Sequence, residues 1–157
     1  MTDANEMALA KKVYEDLCAA LERRDWNFQR HDEDLVITFG VNGEDIPMDF
    51  IFVVDAERQL LRVLSKLPFA VPEDKRIDIA IATCAASYGL ADGSFDYDIE
   101  KGIIFFRLTS SFRNSSIGDG LFDYLVGISC FTVDKYNDKF MALSKGFISI
   151  EDFIKNA

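Results

Sequence analysis

The sequence predicts an α+β fold in which a single antiparallel five-stranded sheet is covered by helices mainly on one face. Three observations lead to this prediction. Apolar residues recur at every second position in three segments before Leu67 and in two segments after Asp92. Short turns join the segments within each group, as in antiparallel hairpins. Segments with apolar residues at steps of three or four precede, separate and follow the two groups, which gives the order α-βββ-α-ββ-α and a further short helix at the end.

The size and the composition predict one domain over residues 1–157. Hydrophobic residues make up 49% and charged residues 28% of the chain, which excludes an intrinsically disordered protein. A chain of this length buries about 70% of the surface of its unfolded form, so that it needs neither a disulfide nor a metal ion to fold. Because the first residues contain no long apolar run, we expect no signal peptide, no membrane span and a cytoplasmic location.

The net charge of −10 disfavours nucleic acid and anionic membranes as partners. Two tracts carry the acidic excess: residues 31–57 contain eight acids, residues 77–100 contain five, and neither tract contains Lys or Arg. Both tracts include hairpins of the predicted sheet, so one side of the molecule is expected to be acidic. Such a side either docks a basic segment of a partner polypeptide or only keeps the protein soluble.

The first part of the chain is predicted to form a helix and a three-stranded meander. Residues 2–24 have one apolar face, and Asp3 with Glu6 supplies a capping box at the start. Alternating apolar residues then predict strands over residues 34–39, 46–54 and 59–65. The Asn42-Gly43 pair predicts a tight turn between the first two strands.

A second helix and a second hairpin are predicted in the middle of the chain. Pro72 marks the start of the helix and Gly89 its end. The apolar stripe of this helix consists of Ile77, Ala80, Ile81, Cys84 and Tyr88. Residues 93–100 and 103–109 then alternate as the two strands of a hairpin.

A long helix predicted over residues 117–143 has two apolar stripes, and a short helix follows from Ser149. One stripe contains Leu121, Tyr124, Leu125, Ile128 and Phe131. The other contains Phe122, Val126, Cys130, Val133 and Phe140. A helix that only covers a sheet needs one stripe, so two stripes predict burial on two sides.

The second of these stripes predicts a homodimer. The N-terminal helix is only partly apolar and is expected to leave part of the stripe in water, which forgoes about 1.5–3 kcal/mol for each large side chain. A symmetric second copy offers the same surface in return. The residues expected at this contact are Phe122, Val126, Cys130 and Val133, and the alternative contact is the apolar sheet face around Ile51, Val53 and Ile104.

No catalytic, cofactor-binding or metal-binding residue is predicted. His31 is the only histidine, which excludes a multi-histidine metal site. Cys18, Cys84 and Cys130 lie in apolar helical segments without a CxxC pair, as expected for buried thiols in a reducing compartment. The alternating acids of residues 92–100 lack the sixth-position glycine and the twelfth-position acid of a calcium loop.

Several short motifs resemble those of the YbjN family, whose members are labelled bacterial sensory transduction regulators. In chain order the motifs are Leu67-Pro68-x-x-Val71-Pro72-Glu73-x-x-Arg76, Gly93-x-Phe95-x-Tyr97-Asp98, Gly102-x-Ile104-x-Phe106-Arg107, Asp134-Lys135-Tyr136 and Gly146-x-x-Ser149-x-Glu151. The asparagine-rich end of the family's middle helix is replaced by Cys84-Ala85-Ala86-Ser87-Tyr88. The resemblance implies a fold similar to type III secretion chaperones, which are small, acidic, usually dimeric cytosolic proteins that hold an extended partner chain.

Three classes of function follow from these observations. The first is a non-enzymatic interaction module, chaperone-like or regulatory, that presents an acidic and partly apolar surface to a partner polypeptide. The second is a sensor that binds a small ligand in an apolar pocket between the sheet and a helix. The third is a small hydrolase whose carboxylates converge in a cavity with a raised pKa. We expect the first of these, without a cofactor and without enzymatic activity.

The absence of a predicted metal site has a direct test. Treatment with EDTA is expected to leave the melting temperature unchanged, because the acids of residues 92–100 lie on the outer side of a predicted strand and do not form a metal loop. A fall of more than a few degrees in a thermal melt would contradict this interpretation.

Overall fold

The structure, a computed structural model, describes residues 2–157. Its four helices are α1 (Ala4–Arg23), α2 (Arg76–Tyr88), α3 (Asp119–Ser144) and α4 (Ile150–Lys155). Its strands are β1 (Gln29–His31), β2 (Val36–Asn42), β3 (Pro47–Asp55), β4 (Leu60–Lys66), β5 (Ser94–Asp98) and β6 (Ile103–Ser111). The predicted α+β class and the order of the main elements are confirmed. No helix within the described residues is both long enough and apolar enough to cross a bilayer.

The strands form one antiparallel sheet in the order β1-β2-β3-β4-β6-β5, so the predicted number of five strands is wrong. The additional strand, β1, has only three residues and is too short to show a hydrophobic alternation. It is held beside α1 by polar contacts. The Arg30 guanidinium bonds to Asp32 at 2.9 Å and to Glu15 at 2.6 Å, and the Tyr14 hydroxyl donates to Asp32 at 2.8 Å.

The sheet buries one face only. Alternate residues of β2, β3, β4 and β6 are buried, and α1 and α3 pack against the sheet on the side where these residues lie. The opposite face carries no helix within the described residues. The largest fully buried side chains of the sheet are Ile37, Phe50, Phe52, Leu61 and Phe106. Helix α2 lies along the outer edge of β5, where the Ser87 hydroxyl accepts the Phe95 N–H at 2.9 Å.

Two of the motifs that resemble the YbjN family meet at one junction. The Val71 N–H donates to the Gly102 carbonyl at 2.8 Å, and Arg76 donates to the carbonyls of Val71 and Glu100 at 3.2 and 2.5 Å. Gly102 has φ +68°, and a Cβ there would lie 2.5 Å from the Val71 carbonyl oxygen. These residues therefore fasten the β5–β6 turn to the start of α2, which is a structural role.

We expect Arg76→Ala to lower the free energy of unfolding by about 1.5–3 kcal/mol, because two backbone carbonyls lose a charged donor. Urea denaturation measures this change. Arg23→Ala is the control, since Arg23 makes an exposed ion pair with Asp119 that is worth at most about 1 kcal/mol. Equal effects of the two substitutions would contradict the assignment of this junction.

Candidate interaction surface

The stripe of α3 that was predicted to face a second copy lies inside the single chain. Phe122, Val126 and Val133 are at most 6% exposed and belong to the one buried face of α3, on which both α1 and the sheet pack. Leu121, Tyr124 and Phe131 of the other stripe are exposed, so the predicted burial of α3 on two sides is wrong. Cys130 is half-buried at a small cavity between α1 and α3. The expectation that α1 leaves this stripe partly uncovered is therefore corrected. An aspartate in place of Val126 would introduce a charge into the core of one chain and would not report on an interface.

The second predicted surface is split between the two faces of the sheet. Ile51 is 41% exposed and Val53 is half-buried, and both lie on the face without helices. Ile104 is completely buried on the opposite face, so its place at this surface is corrected. Its neighbours Ile103 and Phe105 face the same side as Ile51. Residues 103–106 are all apolar, so the sequence did not indicate which of them face the core and which face the open side of the sheet.

Helix α2 presents an exposed apolar face. Its residues are those of the apolar stripe that the sequence predicted for this helix. Ile77 is 71%, Ile81 44% and Tyr88 93% exposed. The buried face of α2 lies opposite and consists of Ile79, Ala82, Thr83 and Ala86. Apart from Ile79, the helix thus turns small side chains towards the core and large ones towards water. If no other molecule contacted this helix, we would expect its large apolar side chains to face the core and its small ones to face water.

This exposed face forms the floor of a groove with a volume of about 750 Å³, which we call the α2 groove. Ile99 of the β5–β6 turn and Ile154 of α4 stand beside α2 and complete its lining. The small side chains of Ala80, Cys84 and Ala85 lie between the larger ones. Among the described residues that line the groove there is no Asp, Glu, Lys or Arg. The arrangement suits an apolar surface of another molecule.

The strands of the two acidic tracts lie towards opposite edges of the sheet. Because β6 pairs with β4, strand β5 reaches one edge of the sheet, whereas β1 and β2 lie at the other edge. By register, Asp49 and Asp55 of β3 and Asp96 and Asp98 of β5 nevertheless lie on the same face of the sheet, so an acidic side stays a prediction. Several of the acids are also paired with arginines: Asp32 with Arg30, Asp55 with Arg58 and Arg62, and Asp96 with Arg107.

The paired carboxylates at Asp32 and Asp55 are held ionised. Hydrogen bonds from Arg30 and then from Tyr14 lower the pKa of Asp32. Burial opposes ionisation of Asp55, but hydrogen bonds from the backbone and guanidinium of Arg58 lower its pKa overall. A general acid needs the opposite displacement. These carboxylates are therefore suited to ion pairs and not to proton donation.

The cysteines differ in their exposure. Burial raises the pKa of the Cys18 thiol to about 11 and that of the Cys130 thiol also to about 11, with a further contribution from Asp134 at Cys130. Cys84 is exposed in the α2 groove, so the expectation of three buried thiols is wrong at this position. Within residues 2–157 no cluster of three or more His, Cys, Asp and Glu side chains is arranged to hold a metal ion.

We expect one fast-reacting thiol when the chain, diluted until it is monomeric, is mixed with a disulfide reagent at neutral pH. Cys84 is exposed, whereas burial suppresses the thiolate form of Cys18 and Cys130. Release of the reagent's chromophore measures the reaction, and Cys84→Ser should remove the fast phase. A fast phase that survives this substitution would contradict the prediction.

Comparison with known proteins identifies the fold of this chain. Neither a family model nor a curated protein matches the sequence. The structure is similar to that of YbjN from E. coli, described as a candidate transcription regulator, with a TM-score of 0.61 and 10% identity over 85% of this chain and 92% of that chain. The structure of the HopA1–SchA chaperone–effector complex aligns over 99% of both chains, with a TM-score of 0.44 and 13% identity. The chain therefore has the YbjN fold, as its motifs indicated.

Proposed function

We propose that this chain is a non-enzymatic protein-interaction module that works as a cytoplasmic homodimer and binds a partner polypeptide. The observation that carries the proposal is the α2 groove, where Ile77, Ile81 and Tyr88 stand together in water on one helix face. Burying a large apolar side chain stabilises by about 1.5–3 kcal/mol. A contiguous apolar surface of this kind marks an interaction site.

The order of residues along α2 supports a second copy as the molecule that covers the groove. The groove-lining positions are symmetric about the midpoint between Ala82 and Thr83. An antiparallel α2 from a second copy, centred on this midpoint, would pair Ile77 with Tyr88, Ala80 with Ala85, and Ile81 with Cys84. A two-fold contact requires such self-complementarity.

Charge along the helix is compatible with the same pairing. Asp78 is the one charged residue between Ile77 and Tyr88, and in the antiparallel arrangement it would face Ser87 of the second copy. Two carboxylates are therefore not brought together along the helix pair. The small side chains at the centre of the groove allow the axes of the two helices to approach to about 8–10 Å, the usual distance between packed helices.

The alternative functions have less support. A small-ligand pocket buries most of the ligand's surface, roughly 70–90%. The α2 groove is open instead, because Ile77 and Tyr88 in its lining are exposed to water. A hydrolase would use a carboxylate with a raised pKa, but the pKa values of Asp32 and Asp55 are lowered. A basic segment of a partner remains a prediction, and the two acidic edges of the sheet are the surfaces that it would use.

Light scattering tests the dimer. We expect a mass of twice 17.8 kDa for the wild-type chain and a folded monomer for Ile81→Asp, since a charge in the groove would be buried without a partner. Ile51→Asp is the matched control, because Ile51 on the open sheet face is 41% exposed and Ile81 is 44% exposed. A wild-type mass of 17.8 kDa would overturn the dimer, and dissociation by the control alone would move the interface to the sheet.

Disulfide trapping tests the register. In the Ile81→Cys variant, the introduced thiol should lie opposite Cys84 of the second copy, and mild oxidation should give a covalent dimer on a non-reducing gel. The same substitution in a Cys84→Ser background is the control and should not cross-link. A dimer in light scattering without this cross-link would contradict the antiparallel register.

A further inference from the structure

The basic residues of this chain are mostly engaged within it. Of the 17 lysines and arginines, seven form ion pairs with carboxylates, two arginines donate to backbone carbonyls, and two lysines lie over the ring of Tyr136. Six lysines have no such partner among the described residues: Lys11, Lys66, Lys75, Lys101, Lys145 and Lys155.

Four of these six lysines gather around one loop. Lys66 and Lys101 line a depression of about 550 Å³, and Lys75 and Lys145 line another of about 380 Å³. Phe69 and Ala70 belong to the lining of both depressions and therefore form the ridge between them. We call this surface the Phe69 ridge.

The linings of the two depressions combine positive charge with apolar surface. Ile103 lies beside Lys66 and Lys101, and Met141 lies beside Lys75 and Lys145. Each depression also contains one carboxylate, Asp49 in the larger and Asp74 in the smaller. The surface thus keeps a positive excess in a chain whose net charge is −10.

We infer that the Phe69 ridge binds an acidic polypeptide segment in which acidic residues flank an aromatic or aliphatic one. The lysine ammonium groups on either side of the ridge would meet the carboxylates, and the apolar residue would pack on Phe69. Nucleic acid is disfavoured, because four lysines interrupted by two carboxylates on an acidic protein make few phosphate contacts. The inference rests on the proposed interaction function but uses a face separate from the α2 groove.

Fluorescence anisotropy with defined probes tests the inference. The probe is a short labelled peptide of Glu, Phe and Ser, and the comparison probes are the same peptide with Gln in place of Glu and a labelled oligo-dT. We expect the Glu peptide to bind at low salt and to weaken as salt rises, whereas the Gln peptide and oligo-dT should bind at least about tenfold more weakly.

Charge-matched variants locate the site. Lys66→Glu with Lys101→Glu, and Lys75→Glu with Lys145→Glu, should each weaken the Glu peptide about tenfold or more. Lys11→Glu with Lys155→Glu makes the same change in net charge elsewhere and should alter binding less than about twofold. Circular dichroism and light scattering confirm that each variant keeps the fold and the mass of the wild type.

Each other outcome would overturn the inference. Equal losses in all three double variants would show a general charge effect, and tighter binding of oligo-dT would show a nucleic-acid site. Failure of the Glu peptide to bind a correctly folded wild-type chain would remove the Phe69 ridge as an acidic-segment site. It would leave the dimer at the α2 groove untouched, since that proposal is tested by mass and cross-linking.

Discussion

The one-sided burial of the sheet is the constraint on which the rest of the structure depends. Every second residue of the central strands needs cover, and all of these residues lie on one face. Helices α1 and α3 must therefore share that face, and they pack against each other as well as against the strands. This packing buries one face of α3, which includes Phe122, Val126 and Val133, and leaves Leu121, Tyr124 and Phe131 exposed.

The same constraint explains the position of α2. With the sheet face occupied, α2 lies along the edge of β5, where it shields an edge strand that would otherwise offer free backbone groups. Close packing at this edge suits the small residues Ala82, Thr83 and Ala86. The large side chains of α2 then point away from the molecule. The interaction surface is thus a consequence of how the helices are distributed around the sheet.

The short motifs that resemble the YbjN family describe the fold and not a site. Arg76 and Gly102 fasten a turn to the start of α2. Asp134 accepts the Glu44 N–H at 3.0 Å and so holds the β2–β3 turn against α3. Tyr136 packs on Phe95 with ring centroids 5.4 Å apart. Such contacts are compatible with a shared fold at 10% identity, because they depend on a few residues at fixed junctions.

The sequence by itself determined the fold class and the order of the main elements, because helical and strand periodicities are local properties. Only the tertiary structure decided which apolar stripe is covered. Both faces of α2 and of α3 are apolar, so the choice depends on which neighbour arrives, as α1 does at α3. The tertiary structure also decided that Ile51 and Ile104 lie on opposite faces of the sheet and that the strands of the acidic tracts lie towards opposite edges. Both depend on strand pairing, which joins residues that are distant in the chain. The three residues of β1 carry too little pattern, and their place depends on the contacts of Arg30 and Asp32.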